Sequence, residues 1–156
     1  MLVEADDSAF AKLICGEAPP PFQLVDAAWE TPEVLRMLQG LAVAVRAHFT
    51  PAAWLIVEAG EIAGLCSVMR VSTPDGEIEI GYGVAPARQG RGVAQRAIAD
   101  VLTWARADKR VAVVKADTSV YNIASQRVLE RNGFARTGTR TDAEDGDMIC
   151  WQIATK

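Results

Sequence analysis

The sequence predicts an α/β (α+β) domain: a mixed, mostly antiparallel sheet with helices on both faces. Three observations predict it. β-branched and apolar runs joined by turn sequences crowd into residues 54 to 84, as in antiparallel hairpins. A strand-like run, an amphipathic helix and a second apolar run follow between residues 77 and 116, the pattern of a right-handed parallel crossover. Two last strand-like stretches flank Glu144-Asp145-Gly146 and read as a closing hairpin.

Each element has its own signal. Asp7 or Ser8 is placed to cap a short helix to about Ile14. From Pro32 to Phe49, Val34, Leu35, Leu38, Leu41, Ala42 and Val45 recur at helical spacing, and Pro51 ends the helix. Trp54 to Glu58 and Ile62 to Val71 join through Ala59-Gly60-Glu61 as a hairpin, and Thr73-Pro74-Asp75-Gly76 turns the chain into Glu77 to Val84. In that last run Ile78, Ile80, Tyr82 and Val84 alternate with Glu77, Glu79, Gly81 and Gly83. Ile98, Val101, Leu102 and Ala105 make the stripe of a helix reaching about Ala107. Val111 to Ala116, almost continuously apolar, predicts a strand buried on both faces. Asn122 caps a helix to about Asn132, which Gly133 stops, with Phe134 placed to touch Leu129 in a Schellman arrangement. Ala135 to Thr141 and Asp147 to Ala154 complete the sheet.

The 156 residues make one domain, long enough to bury roughly two-thirds of the surface of the unfolded chain. A net charge of −4 argues against electrostatic adhesion to nucleic acid or anionic lipid. No apolar run reaches membrane-spanning length, and Glu4, Asp6 and Asp7 stand where a secretory or mitochondrial signal needs cations, so a cytoplasmic protein is expected. Cys15, Cys66 and Cys150 have no C-x-x-C spacing and suit a reducing compartment. His48 is the only histidine, which removes most metal-ligand sets and the histidine-dependent nucleophile systems, and no metal is expected.

The richest stretch is Gln89-Gly90-Arg91-Gly92-Val93-Ala94, between a strand and a helix. Glycines let backbone approach a ligand, and the first turn of a helix presents amides without intrahelical partners, so the stretch reads as a cradle for a pyrophosphate. Glycines also make ordinary tight turns; Arg88 and Arg91 favour the phosphate reading by supplying charge. Gly90-Arg91-Gly92 also resembles part of a dinucleotide-binding G-x-G-x-x-G, but the third glycine position is Gln95 and the turn follows a hairpin strand late in the chain.

The cradle matches Q/R-x-x-G-x-G/A. Asn122-Ile123-Ala124-Ser125 followed by Val128-Leu129-Glu130-Arg131-Asn132-Gly133-Phe134 resembles the N-x-x-S…E-K/R-x-G-F block of the GNAT superfamily of N-acetyltransferases. With Glu79-Ile80-Gly81-Tyr82 before the turn, the chain looks most like the branch containing ribosomal-protein N-terminal acetyltransferases, from about Trp54 onward. The resemblance implies a sheet splayed at its two parallel strands, with acetyl-CoA between the splayed ends. Its pantetheine would pair with backbone near Val84, its pyrophosphate would lie on Gln89, Gly90, Arg91, Gly92, Val93 and Ala94, Asn122 would lie near the pantetheine arm and Ser125 near the thioester sulfur. Asn122 also has the plain role of a helix cap.

The activity implied is transfer of an acetyl group from acetyl-CoA to a primary amine by direct attack in a ternary complex. The amine would belong to a small molecule or to a peptide or protein N-terminus. A lysine-like amine of pKa ~10.4 costs about 4 to 5 kcal/mol to deprotonate at pH 7, and an α-amine of pKa ~7.8 about 1. Glu79 is the candidate base, with Glu77 the fallback on the same face; alternating Glu is also ordinary patterning of a wet sheet face. Many members of the superfamily carry a tyrosine acid at the position of Leu129, which this chain lacks, leaving Ser125 ahead of Tyr121 and Tyr82. The acidic turn Asp142, Glu144, Asp145 and Asp147 suits a cationic amine or simply solvent, and Trp29, Trp54 and Pro19 to Phe22 suit an acceptor cleft or the core. A non-catalytic CoA-binding sensor is the alternative of another class, a dinucleotide-binding module a lesser one, and a homodimer stays open as the assembly.

Overall fold

The computed structural model describes residues 1–25 and 29–156. In chain order the elements are β1 (Leu2–Glu4), α1 (Asp7–Ile14), β2 (Gln23–Leu24), α2 (Pro32–Arg46), β3 (Ala53–Glu58), β4 (Glu61–Ser72), β5 (Glu77–Val84), α3 (Val93–Ala107), β6 (Val113–Ser119), α4 (Ile123–Arg131), β7 (Ala135–Asp142) and β8 (Gly146–Ala154). A 3-10 turn at Pro86–Arg88 connects β5 to the glycine stretch. The sheet runs β1-β3-β4-β5-β6-β8-β7, with β2 beside β4 off that path. Its pairings are antiparallel except β5 with β6 and the two-residue β2 with β4. This is the mixed, mostly antiparallel architecture predicted from sequence.

The parallel pair positions the site. β5 and β6 are in register from Glu77 with Val113 to Ile80 with Ala116, and no further. Beyond that point β5 continues to Val84 against β4, and β6 continues to Ser119 against β8. The two strands part, leaving a wedge between Gly81–Val84 and Asp117–Ser119. One edge of β5 thereby loses its ladder partner.

The halves of the sheet are clothed differently. β3 is buried at every position from Ala53 to Val57, so both faces are covered there. α1 packs on α2 and α2 on β4, while α3 packs on β5, β1 and α4. Phe10 of α1, Ile98 and Val101 of α3, and Leu129 of α4 are fully enclosed. Trp104 of α3 meets Trp54 edge-on at 5.0 Å and Phe49 at 6.3 Å, locking helix to sheet. Trp54 is therefore core, not cleft.

Four expectations need correcting. α1 is capped by Asp6, whose carboxylate accepts the Ala9 N–H at 2.8 Å, and not by Asp7 or Ser8. α2 starts from a Thr31 cap and ends at Arg46, short of Phe49. The strand expected at Val111 to Ala116 runs from Val113 to Ser119 and alternates, with Val114, Ala116 and Thr118 buried and Val113, Lys115, Asp117 and Ser119 half-buried. Among the described residues no helix covers its second face. β1 and β2 have no local pattern and exist through pairing with the distant β3 and β4. The Schellman stop, by contrast, forms as predicted: Gly133 N–H donates to Glu130 O and Phe134 N–H to Leu129 O, both at 3.0 Å.

Phe10 joins α1 to the rest of the core with no exposed surface, so Phe10→Ala should cost about 3–5 kcal/mol. Denaturant titration should show a lower midpoint at an unchanged slope.

Candidate active site

Two cavities open at the wedge. The first, about 580 Å³, is bounded by the end of β5 (Tyr82, Gly83, Val84), the turn and start of α3 (Arg88 to Gly90 and Gly92 to Gln95), and one face of α4. The second, about 530 Å³, is bounded by Gly81 and Tyr82, by Asp117 to Ser119 of β6 and by Glu144 and Asp145 of the β7–β8 turn. Tyr82, Asn122 and Ser125 border both. The two cavities thus meet where the strands separate.

The glycine stretch has the geometry of an anion cradle. Gly90 and Gly92 take φ of 75° and 77°, values that side chains disfavour, and Gly92 is the N-cap residue of α3. The amides of residues 90 to 95 have no hydrogen-bond partner among the described residues, and the first intrahelical bond runs from Arg96 N–H to Gly92 O. A run of unpaired N–H groups at the positive end of a 15-residue helix gives this turn a positive electrostatic character.

Arg96 holds that run in shape. Its guanidinium grips Glu58 in a bidentate pair at 2.9 and 3.1 Å and donates to Arg91 O at 3.1 Å. The loop is thereby tied to the β3–β4 hairpin. Arg88 is likewise paired with Glu61 at 3.1 Å, so part of its charge is neutralised within the fold. The Arg91 side chain is exposed and does not border either cavity. Besides Arg88, the cations Arg127 and Arg131 border the first cavity from α4, with Ala124 and Val128 on the same face. Their i, i+3, i+4, i+7 spacing was the sequence signal for that face, and sequence reasoning missed it.

The free edge of β5 completes the first cavity. Ala85 N–H bonds back to Ala63 O beside β4 at 2.7 Å, and strand alternation then aims the polar groups of Val84 at the wedge. Gln89 Nε2 takes the Val84 carbonyl at 2.9 Å, leaving its N–H facing open space. Across the wedge Asn122 Oδ1 accepts the Ser125 N–H at 3.1 Å, so Asn122 caps α4 while bordering both cavities.

The second cavity belongs to the bare face of the sheet. Glu77 pairs with Lys115 at 2.7 Å, Glu79 with Arg70 at 3.5 Å and Asp117 with Arg140 at 2.6 Å. Glu79 lies on that face, two residues before Gly81, and borders neither cavity; Asp117 borders the second directly. Burial, and then the charge of Asp117, raise the Glu79 carboxyl above its ordinary range. Asp142 is used inside its turn, accepting the N–H groups of Glu144 and Asp145 at 2.8 and 3.0 Å. That leaves Glu144 and Asp145 to face the cavity. Trp29 and Glu30 border the first cavity, while Pro19 to Phe22 border neither.

Tyr121, 89% exposed, borders neither cavity. Tyr82 is half-buried, and burial pushes its phenol up to about 12. It donates to Ser125 O at 3.4 Å, across the wedge.

Comparison with known proteins bears on this geometry. A family model described as an acetyltransferase (GNAT) domain matches residues 19–135. The chain belongs to the GNAT acetyltransferase family. Among solved structures it is similar to the ribosomal L7/L12 alpha-N-protein acetyltransferase RimL in complex with coenzyme A (21% identity, 98% of this chain and 92% of that one, TM-score 0.73). It is also similar to the ribosomal-protein-S5-alanine acetyltransferase from Vibrio fischeri (18%, 99% and 92%, TM-score 0.75). A third similar structure is the microcin C7 self-immunity acetyltransferase MccE with acetyl-CoA and AMP (16%, 98% and 91%, TM-score 0.74). Comparison with curated proteins finds no match. Among the described residues no helix of this acetyltransferase is long and apolar enough to cross a membrane.

A Cβ at Gly92 would stand 2.8 Å from the Arg96 guanidinium, whereas one at Gly90 would meet nothing within 4 Å. Gly90→Ala should therefore cost about 1–2 kcal/mol from its backbone conformation alone. Gly92→Ala should cost more, because Arg96 must also move; thermal melts of the two variants read the difference.

Proposed function

We propose that this acetyltransferase moves the acetyl group of acetyl-CoA to a primary amine, of a small molecule or of a peptide or protein N-terminus, by direct attack within a ternary complex. The observation that carries the reading is the meeting of two cavities at Tyr82, Asn122 and Ser125, one of them backed by unpaired amides. Coenzyme A has a pyrophosphate, an amide-bearing arm and a thioester in that order. The first cavity offers them, in the same order, the amides of Gly90 to Gln95, the free edge at Val84, and the junction. Gln89 helps by fixing the Val84 carbonyl, and Val93 and Ala94 by their amides. Similar folds have been solved with coenzyme A and acetyl-CoA bound, which supports the donor.

The acceptor reaches the junction through the second cavity. Its nitrogen must shed a proton to attack, and Asp117 is the carboxylate at hand, with Glu79 behind it on the same face. We assign them jointly to proton removal, Asp117 nearer the amine and Glu79 behind it with its carboxyl raised by burial; Glu77, two residues farther back along β5, is set aside. The carbonyl oxygen, as it gains charge, is met by a main-chain N–H of the parted β5 edge. Ser125 borders the same junction and remains a candidate to meet the sulfur.

Acetyl-CoA at about 100 times its dissociation constant should stabilise the fold by about 2.7 kcal/mol. Mass spectrometry of peptides and small amines incubated with acetyl-CoA should then reveal an acetylated product. Stabilisation without thiol release for any amine would favour a CoA-binding sensor instead.

The proton assignment has a signed pH test. Glu79 must be ionised to act, and its carboxyl is raised, so kcat/KM should fall as pH drops through a value above the usual carboxylate range. Glu79→Gln should remove that limb and lower kcat while leaving acetyl-CoA affinity near wild type. An unchanged profile would take Glu79 out of the mechanism.

A further inference from the structure

The missing tyrosine on α4 leaves the departing sulfur without its usual partner, and the chain carries a phenol on β5 that borders both cavities. Leu129, where many family members would have that tyrosine, is fully buried in the core and cannot reach the junction. Of the two tyrosines in the sequence, Tyr121 points to solvent and Tyr82 borders both cavities. Tyr82 comes from β5, and its hydroxyl crosses the wedge to α4.

We propose that Tyr82 is a catalytic residue that stabilises the leaving sulfur by donating a hydrogen bond from its hydroxyl, without surrendering its proton; this rests on the acetyl-CoA reading above. Beyond its place between the cavities, the length of its hydrogen bond supports this. At 3.4 Å the bond to Ser125 O is far longer than the roughly 2.7–2.8 Å of a good O–H···O bond, so the hydroxyl is held near a weak acceptor and is free to turn to a better one. A thiolate forming at the junction is such an acceptor.

The chemistry also decides between donating a hydrogen bond and donating a proton. With its phenol near 12, against about 8.5 for an ordinary thiol, full transfer to sulfur runs uphill by several powers of ten. A hydrogen bond to the anion needs no such transfer and strengthens as charge accumulates on sulfur. In the reaction the amine nitrogen bonds to the carbonyl carbon and the carbon–sulfur bond breaks, its electron pair staying on sulfur. One ammonium proton goes to the carboxylate pair before attack, the second N–H proton leaves to water as the tetrahedral intermediate collapses, and the thiolate is then protonated from solvent. Tyr82 begins and ends neutral. Ser125 then serves through its backbone, as the resting partner of the phenol, more than through its hydroxyl.

Coenzyme A itself is the probe, so no acceptor need be known. The ultraviolet absorbance of the thiolate, titrated against pH in the bound complex, should show the thiol of coenzyme A ionising about tenfold more readily in wild type than in Tyr82→Phe. Tyr121→Phe, at a phenol that borders neither cavity, should behave as wild type. Equal ionisation in wild type and Tyr82→Phe, with coenzyme A bound to both, overturns the proposal, as does an equal loss of the effect in Tyr121→Phe. Absence of coenzyme A binding to wild type overturns the donor reading itself, a distinct result. If Tyr82→Phe fails to fold, Tyr121→Phe leaves Tyr82 as the sole phenol; its ionisation should move to higher pH when bound coenzyme A is a thiolate, and an unmoved titration again overturns the proposal.

Discussion

Four residues of parallel pairing, Glu77 to Ile80 against Val113 to Ala116, determine everything else in this molecule. Had β5 and β6 stayed together, Val84 would have a ladder partner and the cavities would be closed by sheet. Because each strand keeps its outer neighbour while losing its inner one, the cost of parting falls only on a few backbone groups at the wedge. Some of these are met locally, as Gln89 does for the Val84 carbonyl, and the Val84 N–H faces the opening. An unpaired amide beside a cavity is a binding group already in place.

The same parting sorts charge. One cavity carries amide N–H groups and the cations Arg88, Arg127 and Arg131 against the single carboxylate Glu30, and the other carries Asp117, Glu144 and Asp145. The excess of charge is opposite in sign on the two sides, and the half-buried Tyr82 stands between them. The exposed ion pairs on the bare sheet face contribute little stability singly; their arrangement matters more for keeping Glu79 and Asp117 close on one face.

How much of this was legible in the sequence varied with the range of the forces involved. Gly133 and Phe134 act within one turn of α4 and could be read directly, as could the strand-to-helix bend at Gly90 and Gly92. The two short strands β1 and β2 were not readable, because their only signal is complementarity with residues some forty to fifty positions away. β6 was placed two residues early: Val111 is fully buried outside the strand, and Lys115 and Asp117, which mark a wet face, were outweighed by their apolar neighbours. Arg88 was read as a phosphate cation, but Glu61, distant in sequence, shares its charge. That Tyr82 borders both cavities was not readable, because nothing in the letters shows where two strands stop pairing.

The central claim, that main-chain amides exposed by a strand-to-helix bend and a parted strand bind the acyl carrier, is tested most directly by backbone amide resonances. On titrating acetyl-CoA into isotopically labelled protein, the resonances of Val84 and of Gly90 to Gln95 should move most and their exchange with solvent should slow. Saturable binding that leaves those amides unmoved, with the largest changes elsewhere, would contradict the account.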